Sequence, residues 1–167
     1  MVIVLMGVAG AGKTTVGQLL AAELGWGFED ADHYHSAANV KKMRGGIPLT
    51  DADRAPWLET LRGLIGNWVA EERNTVLACS ALKQAYREQL QVAPEVNFVY
   101  LRAPVTLLQQ RLRARHGHYM TEQMLASQLE ALEEPENAIV IDAAGSPEKI
   151  AGEIRATLAL TKSPRDS

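Results

Sequence analysis

Five short β-like apolar runs punctuate the chain: Val2–Met6, Gly27–Asp30, Thr75–Cys79, Val96–Leu101 and Ala138–Asp142. Between them the apolar spacing changes from that of a strand to that of a helix. Alternation of this kind predicts an α/β fold, a five-stranded parallel sheet flanked by helices on both faces. The first helical segment places Val16, Leu19, Leu20 and Leu24 on one side and stops at Gly25, a natural helix-ending residue. Thr50-Asp51-Ala52-Asp53 reads as an N-cap followed by an acidic first turn, opening a long helix. In that helix Trp57, Leu58, Leu61, Leu64, Ile65, Trp68 and Val69 recur at helical spacing, so its tryptophans are expected to pack rather than to serve as a ligand platform. Later helices are expected to open at Pro104, Thr121 and Ser146-Pro147, and residues 161–167 read as a polar, frayed tail.

Two stretches do not have the composition of sheet-packing helices. His33–Leu49 is polar and basic and ends in Gly45-Gly46-Ile47-Pro48, while Arg111–Tyr119 gathers three arginines and two histidines around Gly117. They are candidates for a substrate flap and for a lid over about residues 111–120. With 167 residues and no interdomain linker or repeat, the chain is expected to form one domain, 1–167.

Chemistry enters at the end of the first run. Gly7-Val8-Ala9-Gly10-Ala11-Gly12-Lys13-Thr14 is a complete P-loop lying between a strand and a helix. Small residues let successive backbone N–H groups converge on phosphate oxygens, and the following helix adds the positive end of its dipole. Lys13 can reach the outer phosphates and Thr14 can offer its hydroxyl to Mg²⁺, so ATP and Mg²⁺ are the implied ligands. A net charge of −3 and the lack of a basic stripe interleaved with aromatics speak against general nucleic-acid binding. The opening apolar run is too short for a signal segment or membrane span, and the lone Cys79 cannot form an internal disulfide; both fit a cytoplasmic protein. Buried packing is the expected role of Cys79.

A P-loop names the nucleotide, not the reaction. The second strand ends in Asp30-Ala31-Asp32, and residues two apart in extended chain point the same way, so both carboxylates could rise above the ligand edge of the sheet. Phosphoryl transfer needs one carboxylate near Mg²⁺ and another to take the attacking hydroxyl's proton. The alternative is that one or both only begin a loop or cap the next turn. The third strand ends without an aspartate, which favours Asp30, directly or through water, as the acidic partner of the metal. Ser80–Arg87 reads as the start of a helix with Lys83 and Arg87 on one face; with Arg54 they could meet an anionic substrate, and His35 could hydrogen-bond it. Arg111 and Arg115 also share a face and could cover the nucleotide. For each cation the competing role is a solvated surface.

Beyond the P-loop, the chain resembles the gluconokinases at Asp30-Ala31-Asp32-His33-Tyr34-His35, at Lys42-Met43, from Gly46 to Arg54 with Pro56-Trp57-Leu58, and from Ala78 to Lys83 with Tyr86-Arg87. Gly117-His118-Tyr119-Met120 and Gln128–Glu133 continue the match; Tyr119 and Leu129 stand where phenylalanine is usual. The resemblance implies a P-loop kinase fold related to shikimate and nucleoside monophosphate kinases, ATP-dependent phosphorylation of D-gluconate to 6-phosphogluconate, and a homodimer. Under it Asp32 serves the terminal hydroxyl, Lys13 and Mg²⁺ the phosphates, and Arg54, Lys83 and Arg87 the acid. Shikimate kinase is the nearest rival, but that family carries a glycine triplet where this chain has Cys79-Ser80-Ala81. A nucleotide-binding switch without catalysis is the reading from another class.

Overall fold

The computed structural model describes residues 1–115 and 122–163. Five strands, β1 (Val2–Met6), β2 (Gly27–Asp30), β3 (Thr75–Ala78), β4 (Val96–Arg102) and β5 (Ile139–Asp142), form one sheet in the order β2-β3-β1-β4-β5. All neighbouring pairs are parallel, with Val2 opposite Thr75 on one side and Val96 on the other. Every residue of β1 is inaccessible to solvent, as a central strand covered on both faces requires.

The strand alternation divides the core. Ile3 and Leu5 of β1, Val76 of β3, and Val99 and Leu101 of β4 face one apolar layer. It is completed by Val16, Leu20 and Leu24 of α1 (Lys13–Leu24) and by Ile150 and Ile154 of α7 (Pro147–Thr157). Val2, Val4 and Met6 face the other layer, closed by Trp57, Leu61, Ile65 and Trp68 of α3 (Asp51–Ala70) and by Tyr86 and Leu90 of α4 (Gln84–Leu90). The remaining helices are α2 (Ala37–Arg44), α5 (Val105–Arg113) and α6 (Glu122–Ala131).

Local signals sit where the sequence places them. Gly25 ends α1 with φ 70°, its N–H returning to the carbonyls of Ala21 and Ala22. Thr50 and Asp53 form a reciprocal capping box at the start of α3. Pro104 and Ser146 cap α5 and α7. The expected opening of α6 at Thr121 lies outside the described residues, as does part of the expected lid.

Two expectations are corrected. The region after β3 does not start a helix at Ser80: residues 80–83 are irregular, Ala81 has a positive φ of 45°, and α4 begins only at Gln84. The polar stretch after His33 holds a short helix, α2, capped by the Ser36 side chain, which does not conflict with its reading as unlike the sheet-packing helices. The tail is not loose throughout, because Ser163 N–H donates to Glu23 O at 2.9 Å and Lys162 pairs with the Glu23 carboxylate at 3.0 Å.

Gly17 sets how closely α1 approaches the sheet. A Cβ there would lie 2.6 Å from the Phe28 ring of β2 and 3.3 Å from Leu5 Cδ1. Gly17→Val is therefore expected to destabilise the fold by about 2 kcal/mol through overpacking. Urea unfolding should show a lower midpoint with an unchanged slope.

Candidate active site

Residues 7–12 turn from β1 into α1 with positive φ at Gly7, Gly10 and Gly12. Two of these glycines are also sterically required: a Cβ on Gly7 would lie 3.0 Å from Leu101 O, and one on Gly10 would lie 3.0 Å from Leu108 O. The loop carbonyls are held from behind. Lys13 Nζ donates to Gly7 O at 2.9 Å and Val8 O at 3.1 Å, and Arg111 Nη1 donates to Gly10 O at 3.2 Å and Ala11 O at 3.4 Å. The Gly12 N-cap has no side chain to satisfy the first-turn amides of α1, so these donors are available to an anion. Ala9 N–H donates to Gln128 Oε1 at 2.7 Å, a carboxamide oxygen at a P-loop amide. Burial lowers the Lys13 pKa, an effect opposed chiefly by Asp32.

The P-loop forms one wall of a cleft that also takes in Asp30, Asp32, His35, Arg54, Trp57 and Arg115. It opens where the carboxyl ends of β1 and β3 diverge into their following loops, the usual ligand position in an open α/β sheet. Asp30, the last residue of β2, accepts from Thr14 Oγ1 through Oδ2 at 3.0 Å and from Asp32 N–H through Oδ1 at 3.0 Å. Asp30 thus caps the following turn while its other oxygen meets the P-loop hydroxyl, so both anticipated roles are compatible. Asp32 is not on extended chain: it belongs to a 3₁₀ turn, Ala31–Tyr34, which carries its half-exposed carboxylate into the cleft. Thr14 and Asp30 are hard oxygen donors side by side, and among the described residues no group of three His, Cys, Asp or Glu side chains is poised to cage a metal. That sparse donor set fits Mg²⁺, which takes one or two protein oxygens and completes its shell with phosphate and water.

On the opposite side, His35 stacks on Trp57 with ring centroids 4.3 Å apart, and Trp57 Nε1 donates to Ala31 O at 2.7 Å. Trp57 therefore packs the core and also supports a cleft residue. Burial, and then the charge of Arg54, push the His35 imidazole down to about 4. Arg54 Nη1 donates to Tyr86 Oη at 3.2 Å, the Tyr86 hydroxyl donates to Asp51, and Lys83 Nζ pairs with Asp51 at 2.9 Å.

Residues 9–159 match the shikimate kinase family profile. Among individual relatives, a gluconokinase of Gluconobacter oxydans is 48% identical over 80% of this chain and 75% of its own length. The thermoresistant gluconokinase of Escherichia coli is 41% identical over 79% and 76%. The chain belongs to the gluconokinase family. Its fold is shared with a solved gluconokinase of Sinorhizobium meliloti at TM-score 0.82 and 41% identity, over 94% of this chain and 90% of that one. A solved shikimate kinase of Aquifex aeolicus is 21% identical at TM-score 0.58, a likeness of fold alone.

With the family known, the cations expected to serve ligands divide into two groups. Lys13, Arg54 and Arg115 line the cleft. Arg111 instead braces the P-loop and reaches Ala143 O at 2.6 Å, and Lys83 lies in a neighbouring depression on Asp51. Arg87 is corrected outright as a substrate ligand: it is buried, and its guanidinium donates to the carbonyls of Ala81, Leu82 and Glu133 and to Gln84 Oε1. Those bonds explain the irregular segment before α4, because Arg87 holds its carbonyls in place. Gln128 and Asn39 had no assigned role from sequence; their partners are distant in the chain or lie on another helix. Cys79 is buried with its thiol pushed up to about 12, which leaves it inert at neutral pH.

The low His35 pKa makes stability depend on pH in a defined direction. Between about 4 and 6.5 the unfolded imidazole binds a proton that the folded one does not, so this contribution is complete above 6.5 and is lost as pH falls to 4. Asp53, drawn down to about 2 first by its backbone hydrogen bond from Thr50 and then by Lys42, acts in a lower window, below 3.8. The unfolding midpoint is expected to fall as pH drops from 6.5 to 4, and His35→Gln should flatten that slope.

Proposed function

We propose that this chain transfers the γ-phosphoryl group of ATP to the terminal hydroxyl of D-gluconate, releasing ADP and 6-phosphogluconate. The observation that carries the reading is one cleft lined by the P-loop with Lys13, by Asp32 and by Arg54, with His35 close to Asp32 and within the field of Arg54. Gluconate is a long polyol with a carboxylate at one end and a primary alcohol at the other, so it needs a cation and a proton acceptor that are separated. Its named relatives are gluconokinases.

The hydroxyl oxygen attacks the γ-phosphorus as the bond to the bridging oxygen of ADP breaks, and Asp32 takes the hydroxyl proton. P-loop amides and Lys13 neutralise the charge on the phosphates. Thr14 Oγ1 and, directly or through water, Asp30 would hold Mg²⁺, which would supply further neutralisation of the phosphate charge. Arg54 holds the carboxylate, and Arg115 enters the nucleotide side of the cleft. Lys83 is already paired with Asp51, which leaves the grip on the acid to Arg54.

Coupled ADP release from MgATP should be strongly stimulated by D-gluconate and not by shikimate or AMP. Stimulation by another acceptor overturns the substrate, and tight ATP binding without turnover would favour a switch. Asp32→Asn is expected to lower kcat about a hundredfold or more while ATP affinity changes little. Near-normal turnover would remove Asp32 from this role. The family resemblance also supports a homodimer, which light scattering would report as a mass near twice 18.2 kDa.

A further inference from the structure

Asn39 is one of the few buried polar side chains among the described residues, and nothing in phosphoryl transfer calls for it. It lies on α2 and spans to α3. Its Nδ2 donates to the backbone carbonyl of Asp53 at 2.9 Å and lies 3.3 Å from His35 Nδ1. A carbonyl oxygen can only accept, so the amide nitrogen, not the amide oxygen, must face Asp53. The same nitrogen faces His35, and its second hydrogen is directed there. His35 Nδ1 is consequently the acceptor, and a neutral imidazole with Nδ1 accepting carries its proton on Nε2.

The receiving end is equally defined. The ring is held flat on Trp57, and Nε2 lies 3.9 Å from Asp32 Oδ1. That separation is too long for a hydrogen bond between the two groups. It suits a single hydroxyl that touches both, its oxygen accepting from Nε2–H and its proton directed to the carboxylate. The reverse tautomer would place two acceptors side by side and leave the hydroxyl oxygen without its donor.

We propose that Asn39 is a positioning residue that locks His35 as the Nε2–H tautomer, so that His35 and Asp32 read a hydroxyl of the acid acceptor as a donor–acceptor pair. It follows that His35 presents no lone pair to the cleft and cannot be the proton acceptor. The acceptor-binding part of this inference rests on the gluconate reading, whereas the tautomer does not. The anchor is secured in turn: the Asp53 that supplies the carbonyl is held by the Thr50 capping box and by Lys42 at 2.9 Å.

Two-bond proton–nitrogen correlation spectra of the full chain, with His35 assigned by its loss in His35→Gln, report the tautomer directly. The wild type should show Nε2 protonated and Nδ1 bare at neutral pH. Asn39→Asp puts an acceptor opposite Nδ1 and should move the proton there; Asn39→Leu should abolish the single-tautomer pattern. Both should lower kcat/KM for gluconate about tenfold, the scale of one lost oriented hydrogen bond, with KM for ATP within about twofold. An Nδ1–H wild type overturns the proposal, as does a variant that loses activity while keeping the Nε2–H pattern. Should neither variant fold, the wild-type spectrum decides alone. A chain with the expected tautomer, switched by Asn39→Asp but inactive toward gluconate, would sink the substrate reading and leave the lock standing.

Discussion

The cleft depends on six residues of backbone, 7–12, that must present amides to one side while finding donors for the carbonyls left on the other. Gly7 and Gly10 adopt positive φ with Leu101 O and Leu108 O at the distance where any Cβ would press. The exposed carbonyls are then satisfied by two cations, Lys13 for Gly7 and Val8, and Arg111 for Gly10 and Ala11. Arg111 extends the same brace to Ala143 just beyond β5, so the loop is tied to the far edge of the sheet. An anion site built in this way is fixed before a ligand arrives, which spares the cost of ordering the loop at binding.

Cations define the rest of the site by how they are spent. Arg87 and Arg111 serve backbone carbonyls, and Lys42 and Lys83 serve Asp53 and Asp51. Arg54 keeps its guanidinium among neutral and anionic groups at the cleft wall, donating to Tyr86. Carboxylates that neutralise Lys42 and Lys83 thus leave Arg54 as the positive feature of the acid end, where a planar two-pronged donor suits a carboxylate. Stability and recognition draw on the same residue type, and only tertiary position separates them.

That is also the boundary of what the sequence discloses. Strand positions, the end of α1 at Gly25, the capping box at Thr50 and the P-loop are local patterns, and the structure reproduces them within a residue or so. Asp30 and Asp32 do reach one cleft, but by a 3₁₀ turn, since the Asp30 side chain captures the Asp32 amide and ends the strand. Lys83 and Arg87 have the spacing of one helix face, yet Arg87 is claimed by Glu133 O, whose place beside it exists only after β4, α5 and α6 have folded. Gln128 at Ala9 N–H is another such contact, made across more than a hundred residues of chain. Periodicity reports which face a side chain takes on its own element, and it is silent on what another element brings to meet it.

The two ends of the cleft are therefore built from different materials. The phosphate end is backbone geometry, braced by the Lys13 and Arg111 side chains. The acceptor end is made of side chains on the 3₁₀ turn, α2 and α3, linked through Asn39, Lys42 and Trp57. A backbone site reads charge and shape common to every nucleotide, whereas a side-chain site can be changed one group at a time. The two ends can therefore change independently, since the Asn39, His35 and Asp32 relay lies on the acceptor side, whereas the P-loop carbonyls are held by Lys13 and Arg111.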